Sequence, residues 1–448
     1  GASFSDDAGW DVSDDGGEKD GARDLTLNVR GGAELTEIFS LRGSLRYVDR
    51  EGEFDSIVGT FGCGGPDCYV VDARGFETDS QLLIGGLAAD LDTFDGAFVI
   101  TPSLGYASED SQTRDTGVSN NDSSTVNIGL QGALTFGAQD AHTLVGALQW
   151  KRETFESESA FSSVDESREQ FGYVLDYRGD LTDALFVQGG LRFDDNDGFD
   201  DFLSWSASAS YRFFSTGTRL RGSVGRAQTN PDFFQQFGST ATFIPNPDLK
   251  PERNFGWDVG VDQTFWSGRA EIGATYFNET LEDEIATTFG PPPDFIATPV
   301  NVDGDSDRQG VELSFRVAPI EGLSIGANYT YLDASEPSNG ATAVEVRRPR
   351  HSGAVDAFYT FLGGRATIGG EAVWAAGGKD LNFGDPSATS PRADLDDYVV
   401  VNITGSYAIN EAVELYGGVR NLFDTDYQEV LGYAEQPLTA FAGLRAAF

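Results

Sequence analysis

The stretch FLSWSASASYRF, Phe202 to Phe213, alternates without a break: Leu203, Trp205, Ala207, Ala209, Tyr211 and Phe213 share one face, and Ser204, Ser206, Ser208, Ser210 and Arg212 the other. A period of two is that of a β-strand, here apolar on one side and wet on the other. The pattern recurs in FSLRGSLRY (39–47), where Phe39, Leu41, Leu45 and Tyr47 oppose Ser40, Arg42, Ser44 and Arg46. It recurs again in STVNIGLQGALTF (124–136), where Val126, Ile128, Leu130, Leu134 and Phe136 oppose Thr125, Asn127, Gln131 and Thr135. It also closes the chain, where Leu438, Ala440, Ala442, Leu444, Ala446 and Phe448 form a strip opposite Thr439, Phe441, Gly443, Arg445 and Ala447.

A single soluble core rarely grows beyond about 300 residues, so 448 residues predict several domains unless one sheet closes on itself. Apolar runs of about 18 residues are absent, which excludes spanning helices. Hydrophobic residues at 39 % and aromatics at 12 % are too many for a disordered chain. With 72 Asp and Glu against 30 Lys and Arg, the net charge of −42 repels phosphate backbones and excludes nucleic acid as a partner. Cys63 and Cys68, in FGCGGPDCYVV, read as a loop-tip disulfide of an oxidising compartment. The alternative, a metal pair, lacks a nearby His. The sequence has no Met, so residue 1 is expected not to be a translation start.

Very short connections (near Glu37, 138–141 and 267–268) alternate with long polar ones (49–75, 229–253, 286–306, 334–350 and 376–396). Short periplasmic turns, long outer loops and strands of about ten residues are the pattern of a transmembrane antiparallel up-and-down β-barrel. About nineteen strands are expected between residue 24 and the C-terminus, with residues 1–10 as the upper end of an ascending strand. The fold class is therefore all-β, with residues 1–448 forming one outer-membrane barrel domain that is N-terminally incomplete.

Four motifs carry a resemblance to TonB-dependent outer-membrane receptors. GVRNLFDTDYQEVLGY followed by FAGLRAAF resembles the last two strands of that family, through Asn421, Leu422, Phe423, Tyr427 and the terminal Phe448. NPDLKPE (246–252) resembles a second signature, through Asn246, Pro247, Leu249, Pro251 and Glu252, and RQGVELS (308–314) and RRPRHSG (347–353) match further common stretches. The resemblance implies a barrel of roughly 22 strands around an N-terminal plug, with the plug and first strands outside this chain. It further implies a Gram-negative outer-membrane location and uptake of a scarce nutrient such as a ferric siderophore or cobalamin, with the TonB complex acting through the plug. A passive pore, or a structural or adhesive outer-membrane protein, is the alternative.

Candidate sites follow from the loops. Pro247 and Pro251 bias Asn246 and Lys250 toward extended backbone. The loop around them either stiffens the mouth or presents Phe233, Phe234, Phe237 and Phe243 to substrate. Asp303, Asp305 and Asp307 have the spacing of half a calcium loop but no closing Glu. The first loop carries Asp6, Asp7, Asp11, Asp14, Asp15, Glu18 and Asp20. Its resemblance to the calcium-binding loops of cobalamin receptors nominates Glu18 and Asp20 for calcium. The alternative is solvated acid neutralised by divalent ions shared with lipopolysaccharide and outer-membrane lipid. Arginines on the polar faces (Arg42, Arg46, Arg192, Arg212, Arg316, Arg420, Arg445) are expected to pair with acids such as Asp258, Asp262, Glu271, Glu312 and Glu414. His142 and His351 are the only histidines and neither sits with a nucleophile, so no enzyme activity and no required cofactor are expected.

Overall fold

A computed structural model describes all residues except 14–16, 58–69, 116, 241–242, 291–295, 339, 382–391 and 447–448. Its main sheet has 21 strands. One is the short first strand Ala2–Asp7, and another, Ala341–Val344, is a hairpin arm on Leu323–Ser338. The nineteen that remain run from Ala22–Thr36 to Thr439–Ala446, each antiparallel to the next of the set. The helical segments are single turns, and no helix among the described residues could cross a membrane.

The strands exceed the expected ten residues. Ser163–Thr182 has 20 and Val118–Phe136 has 19. Residues 49–53 and 334–338, read as loop from their polarity, belong to the strands Phe39–Glu53 and Leu323–Ser338. Asp110, Asp122, Glu156 and Asp165 lie directly opposite one another on four successive strands. A wall rising above the bilayer keeps its backbone pairing while both faces turn polar, so alternating hydropathy marks only its lower part.

The apolar face of the alternation points outward. Leu203, Tyr211, Phe213, Ile128, Leu130, Leu134, Phe136 and Leu444 are all exposed, whereas the buried apolar set is short and scattered. A soluble sandwich would hide these side chains; here the core is replaced by a continuous outer apolar surface. The inner face holds ion pairs. Asp262 accepts from Arg219 Nη2 (2.8 Å) and Arg221 Nε (3.2 Å), Arg192 pairs with Asp194 (2.7 Å), Arg445 with Glu414 (2.9 Å) and Arg42 with Asp90. Arg420 instead lies over the Phe441 ring. In a wet interior such pairs contribute about 0–1 kcal/mol each, so they orient side chains more than they stabilise the sheet.

Short turns join the strands at one end, with left-handed residues such as Phe94 and Asp95, or Trp266 and Ser267. The loops at the other end hydrogen-bond to one another. Ala2–Asp7 pairs with Ala22–Thr36, and Thr439–Ala446 with Val413–Arg420; each has that single neighbour among the described residues.

Candidate functional site

The loops of the long-loop end meet in one assembly, built on residues 421–438. Asn421, 2 % exposed and left-handed (φ 47°), closes the base of that loop. Its Nδ2 donates to the carbonyls of Thr425 (2.8 Å) and Gln436 (3.2 Å), and its Oδ1 accepts from the Thr425 N–H (2.8 Å). Its own N–H donates to Asn402 Oδ1 at 3.0 Å. Asp424, also left-handed, accepts the Leu438 N–H at 2.9 Å. Asn and Asp tolerate this backbone region better than other side chains, which gives the Asn-x-x-Asp spacing a local physical cause. Leu422 N–H donates to Val401 (2.8 Å), Phe423 is exposed, and Tyr427 packs on Tyr398 with ring centroids 4.4 Å apart.

Two ties hold this loop inward. Asp380, 1 % exposed, accepts from Arg347 Nε (3.0 Å) and from the Leu431 N–H (2.9 Å). On the other side Trp10 Nε1 donates to the Ala434 carbonyl (2.9 Å) while Ala434 N–H donates to Val12 (2.8 Å). The first strand thus ends at Asp7 and not at Trp10: Gly9, at φ 64°, turns the chain against the Asp20 carbonyl, where a Cβ would have no room. Beneath the loop lies a cavity of about 440 Å³ on the inner face, lined among others by Asn328, Arg347, Val373, Leu395, Tyr398 and Glu429. Tyr398 donates to Glu429 Oε1 at 2.6 Å.

Carboxylates of the first loop and of the next one, residues 54–76, are engaged with backbone. Asp20 accepts from Val12 N–H (3.2 Å), Asp11 from Gly17 N–H (2.9 Å), Asp72 from Glu18 N–H (3.3 Å), and Asp55 from the N–H groups of Ser13 and Ala73 (3.0 Å each). Glu18 meets Arg74 at 3.1 Å. Burial and neighbouring carboxylates, Asp72 for Glu18 and Asp55 for Asp20, raise both groups above the usual carboxylate range. Asp303 and Asp305 sit in the turn before Ser306–Val317, and Asp307 accepts from Thr280 Oγ1 at 2.9 Å. Among the described residues no three of His, Cys, Asp and Glu converge as a metal site.

The aromatic loop is packed against its own neighbours. Phe233–Phe237 is one helical turn capped by Asp232, whose carboxylate accepts from Gln235 N–H (2.6 Å). Phe233 stacks on Phe155 (5.8 Å) beneath the Arg168 guanidinium (4.4 Å), Phe234 stacks on Phe243 (5.0 Å), and Phe237 touches Phe233 (6.4 Å). Asn301 clamps Lys250 at its N–H (2.8 Å) and carbonyl (2.9 Å), and Asn246 Nδ2 reaches Pro299 (3.1 Å). Leu249 and Pro251 are buried, Pro247 is exposed, and Glu252 accepts the Ile285 N–H (2.7 Å). Cys63, Cys68 and Phe448 lie outside the described residues. Sequence reasoning missed Trp10, Asp380 and Asn301. Only Trp10, a large aromatic in an acidic loop, carried a signal that could have found it.

The family model for the β-barrel of TonB-dependent receptor-like proteins matches residues 1–422. The chain belongs to the TonB-dependent receptor family. Barrels of this family lie in the outer membrane of Gram-negative bacteria, which places the exposed apolar face of this receptor barrel in lipid. It is similar to the vitamin B12 transporter BtuB of Photobacterium profundum, at 26 % identity over 312 residues, covering 68 % of this chain and 47 % of that protein. It is also similar to the ferripyoverdine receptor of Pseudomonas aeruginosa, at 22 % over 292 residues, covering 60 % and 35 %. The chain thus spans half or less of the length of these curated relatives. In fold it resembles the siderophore receptor PirA from Acinetobacter baumannii, with a TM-score of 0.81 at 14 % identity, covering 99 % of this chain and 74 % of that one. The copper transporter OprC gives 0.79 at 14 %, covering 100 % and 76 %.

Proposed function

We propose that this receptor barrel forms the membrane wall of an active transporter that takes up a scarce nutrient, a ferric siderophore or cobalamin. The match to the family's barrel over residues 1–422 carries the reading. The names of the relatives, a vitamin B12 transporter and a ferripyoverdine receptor, support both nutrient classes and do not choose between them. The loop assembly around Asn421, Asp380 and Trp10 forms the outer vestibule, and the cavity lined by Tyr398, Glu429 and Arg347 is its first contact for ligand.

Energy comes from the TonB complex acting on a plug carried by the longer protein, so the barrel residues bind and guide and do no covalent chemistry. Lipid and lipopolysaccharide surround the outer face. Planar-bilayer conductance of the full gene product tests this reading. A plugged receptor gives no large stable open channel, whereas a steady, cation-selective conductance identifies a passive pore.

A further inference from the structure

The short-turn end of the wall carries large apolar side chains at its tips. Four of its connections, residues 94–97, 214–217, 266–269 and 362–365, have four residues each and begin with Phe94, Phe214, Trp266 and Leu362. These four side chains are between 56 % and 82 % exposed.

Three of them sit on left-handed backbone, with φ 53° at Phe94, 51° at Trp266 and 53° at Leu362. That region crowds the Cβ of any L-residue, and a bulky side chain there is an outlier. Turn chemistry does not demand it. In 94–97 the left-handed pair that a tight hairpin needs is Asp95 and Gly96 (φ 57° and 83°), closed by the Ala97 N–H donating to the Phe94 carbonyl (3.2 Å). Residues 266–269 repeat this with Ser267 and Gly268, closed by the Arg269 N–H on the Trp266 carbonyl (3.2 Å). The aromatic in front of each pair adds strain and, in water, bare apolar surface. Strained positions persist where something beyond the turn compensates for them.

The tips continue the outer apolar face. Phe213, Phe265 and Phe361, each next to a tip, are the exposed last residues of their strands. Ile38, Leu181, Ile320 and Ile409 are exposed in or beside four further turns of the same end, so the apolar rim recurs along the whole wall. A protein partner would cover one sector of such a rim, whereas lipid lies against every sector.

We propose that the short-turn rim is immersed in lipid, with Phe94, Phe214, Trp266 and Leu362 anchored at the boundary of acyl chains and headgroups in the inner leaflet. The anchors fix the depth of the wall in the membrane. The inference depends on the outer-membrane location and not on which nutrient is carried.

Tryptophan fluorescence of the full-length protein in phosphatidylcholine vesicles, plain or with brominated acyl chains, tests it. The emission of Trp266 is the difference between the wild type and Trp266→Phe. Brominated lipid should quench that difference about twofold or more, and Phe94→Trp should add emission quenched to the same degree. The difference belonging to Trp10, which lies in an outer loop, should not change. Quenching by aqueous iodide and not by brominated lipid places the tips in water and overturns the proposal. Quenching by neither places them under a segment of protein and also overturns it. Trp266→Asn suits left-handed backbone better, yet it should lower the denaturant midpoint in vesicles. A raised midpoint would show strain without an anchor and would equally overturn the proposal.

Discussion

Trp10 donates its indole N–H to the carbonyl of Ala434 at 2.9 Å, joining residues 424 positions apart in the chain. The bond, with Ala434 N–H on Val12, ties the first loop to the last, and Asp380 holds the other side of the last loop through Leu431. The last loop is therefore fastened to its neighbours at discrete points, and each fastening can be removed separately.

Trp10→Phe keeps an aromatic side chain and deletes the donor. The expected cost is about 1 kcal/mol, localised to the loops. Limited proteolysis should cut within residues 424–438 several-fold faster than in the wild type, with the strand circular-dichroism signal unchanged.

Asn421→Ala removes a buried amide whose side chain makes three bonds to the loop base, and it places a Cβ-bearing residue without compensation at φ 47°. A loss of about 2–4 kcal/mol in denaturant unfolding is expected. Asn421→Gly relieves the backbone and should recover about 1 kcal/mol of that loss.

Glu435, in the last loop, is held above the usual glutamate range by burial and by the Glu429 carboxylate. The folded loop thus holds a proton more tightly than the unfolded chain. Its stability should rise as pH falls through the raised value toward the ordinary one, and level off below that. Protease resistance of residues 424–438 should increase between pH 7 and about pH 4.5, and Glu435→Gln should remove part of the increase.

Asp110, Asp122, Glu156 and Asp165 form a row of like charges directly opposite one another on the outward face. Asp122→Asn should stabilise the sheet by about 0.3–1 kcal/mol at low salt. The gain should vanish in about 1 M NaCl, where such repulsion is screened.

How much of this was legible in the sequence differs by element. Alternation in Phe202–Phe213 gave both the strand and the direction of its faces, because lipid enforces a period of two on every outward position. Residues 49–53 were misread as loop, since above the bilayer nothing enforces that period and only their register against residues 77–81 reveals the strand. The Asn421 motif was found by resemblance, and its four hydrogen bonds supply the cause. Asp380 was invisible: a carboxylate in a polar loop looks alike whether it is solvated or, as here, nearly fully buried between Arg347 and Leu431. The nominated acids Glu18 and Asp20 were singled out by resemblance, and a resemblance cannot show that Asp20 already accepts a backbone N–H.

The central claim is that this barrel serves TonB-energised nutrient uptake. Uptake of labelled cobalamin and of ferric siderophores into whole cells, compared between the wild type, a strain lacking this gene and a strain lacking TonB, tests it most directly. Accumulation of one of these ligands should be lost in both deletion strains and return with the restored gene. Accumulation that depends on this gene but persists without TonB would contradict it.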